Sequence, residues 1–199
     1  MKNLFAFFIT LSLLSFTFHE ETYKADIASS KVQWLGKKTT GQHNGEVALQ
    51  SGNLRVHHGT PVGGEFVLNM QSISVTDIKD AEDNKNLVEH LKADDFFGTE
   101  KFPTAILLAK KFEALTPDAE GNNYKVTADL TIKGVKNEIQ FPAKISASGD
   151  AIIADAKITI DRTRWGISYK SKTILGNMAD KFIYDDIAFT VKLVLQKQK

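Results

Sequence analysis

Between Tyr124 and Ile145 the chain alternates apolar and polar residues with a period of two. Tyr124, Val126, Ala128, Leu130 and Ile132 interleave with Lys125, Thr127, Asp129, Thr131 and Lys133. After Gly134-Val135-Lys136, Ile139, Phe141, Ala143 and Ile145 interleave with Glu138, Gln140, Pro142 and Lys144. Successive side chains of a strand point to opposite faces, so each run presents one oily and one wet face. The spacing predicts a hairpin turning at Gly134-Val135-Lys136. Similar alternation recurs along most of the chain, and many half-apolar strands must then share one interior.

The totals leave room for that interior. A chain of 199 residues, 42% hydrophobic and 25% charged, suffices for one all-β domain with a sizeable core. A net charge of +1 gives no reason to expect nucleic acid as a partner. The absence of cysteine excludes disulfides and thiolate-ligated metal, so packing and backbone ladders must hold the fold. At the N-terminus Lys2 precedes an almost wholly apolar run from Leu4 to Phe18. That run suits an export signal and is short for a membrane span of about 20 residues. Residues 1–18 are therefore expected to be a signal peptide cleaved near Thr17 to His19, with an uncleaved anchor as the alternative. The expected domain covers residues 22–197, and no stable membrane span should remain after cleavage.

Strands are predicted at Lys31–Lys38, with Val32 and Trp34 on one face, and at Glu46–Leu49 after a turn-rich Gly41–Gly45 approach. Others follow at Gly52–Val56 and from Gly63-Gly64 through Phe66, Leu68 and Met70. Leu87, Val88 and Leu91 repeat at helical spacing and predict a short helix from Asn84 to Lys92. Asp94-Asp95 could cap a further turn carrying Phe96 and Phe97. Pro103 starts a strand over Thr104–Phe112, and Thr116 to Asn122 reads as a loop. Ile152, Ala154, Ala156, Ile158 and Ile160 share a strand face. Asp161–Gly166 is a connection, Ile167–Ile174 a weaker strand, and Gly176-Asn177 a turn. Ile187, Phe189, Val191, Leu193 and Leu195 mark the last strand. About eight or nine strands with one oily face pair as a sandwich or close into a barrel. Ala128, Ala143, Ala154, Ala156 and Gly64 fall on inward registers. Such small residues favour a hollow barrel, although a solid core stays open.

Three segments together resemble the YceI-like family of exported lipid-binding proteins. They are His90 to Phe97 continuing through Lys101-Phe102-Pro103-Thr104-Ala105, Asp129 to Val135, and Ile160 to Ile167. The likeness spans about residues 22–196. It implies an extended, antiparallel lipocalin-like barrel with a short helical insertion near residues 84–102. It also implies a periplasmic or secreted protein that holds a polyisoprenoid or similar amphiphilic lipid in an apolar tunnel.

On that basis the expected tunnel wall is Trp34, Phe66, Leu68, Met70, Phe97, Phe102, Val126, Leu130, Ile132, Ile139, Phe141, Trp165, Phe189 and Val191. The same residues in a filled barrel would be plain core. Burying hydrocarbon gains about 0.8 kcal/mol per CH2, so a long chain can bind without any specific hydrogen bond. Phe96, Phe97 and Phe102 read as a lid over one mouth or as a staple closing it. Arg162 and Arg164 are candidate headgroup contacts, with a structural Arg–Asp pair at the Asp161-Arg162 turn as the alternative. No His-x-His or His-Glu-x-x-His spacing suggests a metal, and Asp185-Asp186 reads as a solvated turn. No nucleophile elbow, P-loop or dinucleotide fingerprint is present, so neither a catalytic set nor a cofactor is expected. The expected partner is the lipid itself, and a homodimer remains open. The alternative function is a filled barrel acting through a protein partner at the cell envelope.

Overall fold

The computed structural model describes residues 20–175 and 182–198. The chain runs β1 (Glu20–Ala25), β2 (Lys31–Lys38), β3 (Gly41–His57), β4 (Thr60–Val75), α1 (Ala81–Lys92), β5 (Thr104–Ala114), β6 (Tyr124–Ile132), β7 (Val135–Ser148) and β8 (Ala151–Asp161). A 3-10 turn (Arg162–Trp165), the short α2 (Lys172–Leu175) and β9 (Ile183–Lys197) complete it. Every strand pairs antiparallel with its neighbours in sequence from β2 to β9, and β9 returns to β2. The result is a closed barrel of lipocalin type. β1 bonds to the same two neighbours as β2, namely β3 and β9. It therefore extends the β2 position, beyond a turn in which Ser30 N donates to Asp26 O. The signal-peptide expectation and the Gly176-Asn177 turn lie outside the described residues.

The β6–β7 hairpin carries the alternation expected of it: Val126, Ala128, Leu130, Ile132, Ile139, Phe141 and Ala143 are all buried. Its turn sits one residue earlier than the spacing suggested, on Lys133 and Gly134, with φ of 52° and 75°. This handedness matches the twist of the flanking strands, so Val135 already pairs with Ile132.

The first half of the barrel departs from expectation. Gly41–Gly45 is not a turn-rich approach, and the strands foreseen at Glu46–Leu49 and Gly52–Val56 are one strand of 17 residues. Val47 and Leu49 point inward on odd positions, Leu54 and Val56 on even ones. The register shift between Leu49 and Ser51 explains the switch, because an inserted residue in one strand flips the parity of everything after it. An apparent break in the pattern is thus a bulge within a continuous strand. β4 likewise begins at Thr60 rather than Gly63. No strand forms over Ile167–Ile174; that stretch holds turns, a single bridge from Ser171 to Ile183, and α2.

α1 starts at Ala81, three residues before the expected Asn84, because Asp80 caps it. The Asp80 carboxylate accepts from the amides of Glu82 and Asp83 at 3.0 and 2.9 Å. Residues 94–97 form turns rather than more helix, with Phe96 N and Gly98 N both donating to Ala93 O.

Candidate functional site

Inward apolar residues of β2 to β9 meet around a cavity of about 230 Å³. A buried water needs only about 10–15 Å³, so this void is far larger than a packing defect. Leu49, Leu54, Leu193 and Leu195 line it toward the β1 end, where Leu54 and Leu195 are 2% and 0% exposed. That end is blind. At the opposite end the wall is made by Leu87, His90 and Leu91 of α1, by Phe96 and Phe97 of the following turn, and by Arg162. The exposed Lys37, Lys38 and Tyr184 also reach the cavity there, so the hollow comes to the surface beside the β2–β9 ladder, where its register shifts between Gly36 and Lys38.

Of the expected wall residues, Trp34, Phe66, Leu68, Met70, Phe97, Val126, Leu130, Ile132, Phe141, Phe189 and Val191 face this cavity. Phe102, Ile139 and Trp165 do not. Ile139 is buried in the surrounding core, and Phe102 packs over the position of Gly134. Several wall residues were missed by sequence reasoning, among them Val47, Leu49, Leu54, Ala105, Ala109, Leu193 and Leu195. The same period-of-two signal marks Ala105, Leu107 and Ala109 along β5. Three of the expected small residues, Ala143, Ala154 and Ala156, lie on the wall, and Ala105 and Ala109 add to them.

Trp34 shows how the wall is fitted. It lies opposite Gly45 in the β2–β3 ladder, and its indole Nε1 donates to Ser74 O at 3.2 Å. A Cβ at Gly45 would lie 1.8 Å from Ser74 O and 2.9 Å from the indole. Only glycine lets β4 and the Trp34 ring approach this closely.

Trp165 has a different task. β7 pairs with β8 only from Ala143 to Ser148, and the ladder stops beside Pro142, which has no N–H to donate. The 3-10 turn fills the opened seam. Trp165 is wholly buried, and its Nε1 donates to Leu130 O at 3.0 Å. Asn137 Nδ2 donates to Arg164 O at 2.9 Å, and Arg164 donates to Glu138 O at 3.2 Å. Arg164 therefore sits outside the barrel wall, away from the cavity.

Arg162 is wholly buried and lines the lid end of the cavity. Its guanidinium donates to the carbonyls of Ile167, Tyr184 and Ile183 at 2.8, 3.3 and 3.3 Å. It lies 3.3 Å from an Asp185 oxygen and over the Phe96 ring. The expected Arg–Asp pair thus exists, but its carboxylate comes from Asp185, while Asp161 caps the turn by accepting from Thr163 N and Oγ1. Asp185 is accordingly not part of a solvated turn. Burial pushes the Arg162 guanidinium down from its ordinary value, against the pull of Asp185 and Asp161. For Asp185 burial acts upward, yet hydrogen bonds from Thr173 and Ser171 and the Arg162 charge outweigh it and hold the carboxyl below its usual range.

His90 is the polar side chain that sequence reasoning left without a role. Its ring stands edge-on to Tyr169 and Phe96, at 4.5 and 5.8 Å between centroids. Its Nε2 is buried and, among the described residues, has no hydrogen-bond partner. Across the opening, His43 Nδ1 and Asp77 Oδ2 are 2.9 Å apart. Among the described residues, no cluster of three or more His, Cys, Asp or Glu side chains could hold a metal ion. Among them, too, no helix is long and apolar enough to cross a membrane.

The YceI-like domain family matches residues 23–195. A UPF0312 protein of Photorhabdus laumondii is 36% identical over 77 residues, 39% of this chain and 35% of that relative. The chain spans 35% to 57% of the length of these curated relatives, which include a UPF0312 protein of Staphylococcus aureus. Among solved structures, BcnA of Burkholderia cenocepacia superposes with a TM-score of 0.64 at 20% identity, covering 85% of this chain and 98% of that one. A polyisoprenoid binding domain from Saccharophagus degradans, implicated in plant cell wall breakdown, gives 0.64 at 16% identity over 88% and 98%. At such identities these likenesses speak to the fold.

Proposed function

Since this chain belongs to the YceI-like family, we propose that it is an exported carrier holding one linear amphiphilic lipid, of isoprenoid type, in its barrel. The observation that carries this is the blind, apolar hollow: leucines seal one end, and the other is covered by α1, aromatic side chains and Arg162. A site of this shape selects for length and dryness, and each buried CH2 contributes about 0.8 kcal/mol before the loss of chain freedom is subtracted. The binding named for the Saccharophagus domain supports the same ligand class. The tail runs toward Leu54 and Leu195, and the polar end stays by the lid, where His90 Nε2 supplies a hydrogen-bonding atom. Arg162 serves there as structure, since its donors are spent on carbonyls and Asp185. The carrier works in the periplasm or outside the cell, on the strength of Lys2 and the Leu4–Phe18 run. It performs no chemistry on its cargo. A filled barrel acting through a protein partner is the poorer reading, because the barrel is hollow.

Organic-solvent extraction of the gently purified protein, with native mass spectrometry, tests the proposal. One apolar molecule per chain is expected. Ala143→Leu, which fills the hollow with apolar atoms, should fold and lose most of that cargo, and Phe141→Asp should abolish retention or folding. An empty wild-type protein, or unchanged cargo in a folded Phe141→Asp variant, would count against the site.

A further inference from the structure

The rim of the open end carries features that the hollow itself does not need. Lys37 and Lys38 end β2, Lys170 precedes the Ser171 bridge, and Lys172 begins α2. The backbone ties them together: Lys38 lies opposite Ile183 in the β2–β9 ladder, Ile183 N donates to Lys170 O, and Thr39 N donates to Phe182 O. Lys172 Nζ stands over the Phe182 and Tyr184 rings at 5.3 and 5.8 Å, and Lys170 Nζ over the Tyr169 ring at 5.2 Å. Ile174 and Tyr184 are 59% and 41% exposed beside them. Among the described residues, none of these four lysines has a carboxylate within ion-pair distance. Lys170 and Lys172 lie over aromatic faces, which hold the ammonium groups without neutralising them.

We infer that this rim docks on the surface of a lipid bilayer rich in anionic headgroups, with the cavity mouth facing the membrane. The inference rests on the carrier reading above and adds where the cargo is exchanged. Four cations with no carboxylate partner among the described residues, around exposed Ile174 and two aromatic rings, match a negatively charged interface. The lysines meet phosphates while their stems and the rings reach the boundary of the acyl chains. The placement also fits the cavity, since Lys37, Lys38 and Tyr184 belong both to the rim and to the wall of the opening. A lipid tail can then pass from bilayer to hollow without crossing water. A flat protein partner would be served by the charge but has no use for an apolar mouth at the centre of the contact.

Vesicle co-sedimentation tests this with the protein purified from cells expressing the full chain. Vesicles of phosphatidylcholine alone are compared with an equimolar mixture of phosphatidylcholine and phosphatidylglycerol, at low and high salt. Wild type should bind the mixed vesicles at low salt and release at high salt. The pair Lys170→Glu with Lys172→Glu should weaken binding at least about 25-fold, roughly fivefold for each cation lost before the added repulsion is counted. The pair Lys31→Glu with Lys192→Glu makes the same charge change on the barrel wall away from the mouth and should bind like wild type; residues 1–19 are common to all three proteins. Equal losses in both pairs, equal binding to both vesicle types, or a dimer that dissociates in the rim variant would overturn the inference. Cargo extracted from the rim variant separates the two proposals: normal lipid content with lost docking breaks neither, whereas docking by a protein that never holds lipid breaks only the carrier reading.

Discussion

The two ends of the barrel are closed by different physics. At the blind end, Tyr23, Leu54, Val56, Ile152, Leu193 and Leu195 form a compact apolar cluster. Each arrives there through the period-of-two pattern of its own strand. At the lid end the barrel is closed by α1, the Phe96-Phe97 turn and the buried Arg162, none of which belongs to a strand. The first end needs only apolar area. The second depends on hydrogen bonds that converge from distant parts of the chain, and it is the end that opens. Redundant apolar packing thus holds the closed end, and specific polar joints hold the end with the opening.

Substitutions can break this contrast. Arg162→Met should have the largest effect, because three carbonyls and the Asp185 carboxylate lose their partner; loss of one member of a buried ion pair costs about 3–5 kcal/mol. A drop in urea midpoint of that size, with the blind end still protected in hydrogen exchange, would locate the damage at the lid. Leu54→Ala should cost about 3 kcal/mol through the void it leaves. Because that void joins the existing hollow, the variant should also accept a longer apolar ligand, measurable by competition with alkyl chains of graded length. If it does not, the blind end is not the floor of the site.

Acid sharpens the comparison further. The Asp185 carboxyl lies below its ordinary value in the folded protein. Its contribution is therefore fully present above the unfolded-state value near 3.8 and is lost as pH falls through the lower folded value. Urea midpoints measured down into strong acid should fall in that window for wild type and fall less for Asp185→Asn. The smallest effect is expected on the barrel wall. Lys157 pairs with Glu120 at 2.9 Å, but both side chains are largely exposed. Lys157→Gln should leave the urea midpoint unchanged within error. A clear loss would mean that the loop over residues 115–123 matters more than its surface position suggests.

Much of this architecture was legible in the chain. The β6–β7 hairpin, the inward faces of β8 and β9, the helical insertion and the hollow suggested by inward alanines all follow from local periodicity. What escaped has a common cause. The bulge after Leu49 interrupts the alternation, so one long strand reads as two. The partner of Arg162 lies 23 residues away, across the barrel's final connection, and Asp161 beside it looks like the natural choice. Trp165 looks like a ligand contact because it is aromatic and near a mouth, whereas the unpaired stretch of β7 beyond Pro142 makes it a wedge. His90 sits on a helix whose inward side cannot be known until the lid is in place.

Sequence alone decided which face of each strand is apolar, since the pleat turns neighbouring side chains apart whatever the rest of the chain does. It therefore also decided that these strands must enclose something. Ring closure decided everything that depends on distance: which carboxylate meets Arg162, which end is sealed, and where four lysines gather around an opening. Those outcomes depend on pairings between residues far apart in the chain, and no local pattern encodes them.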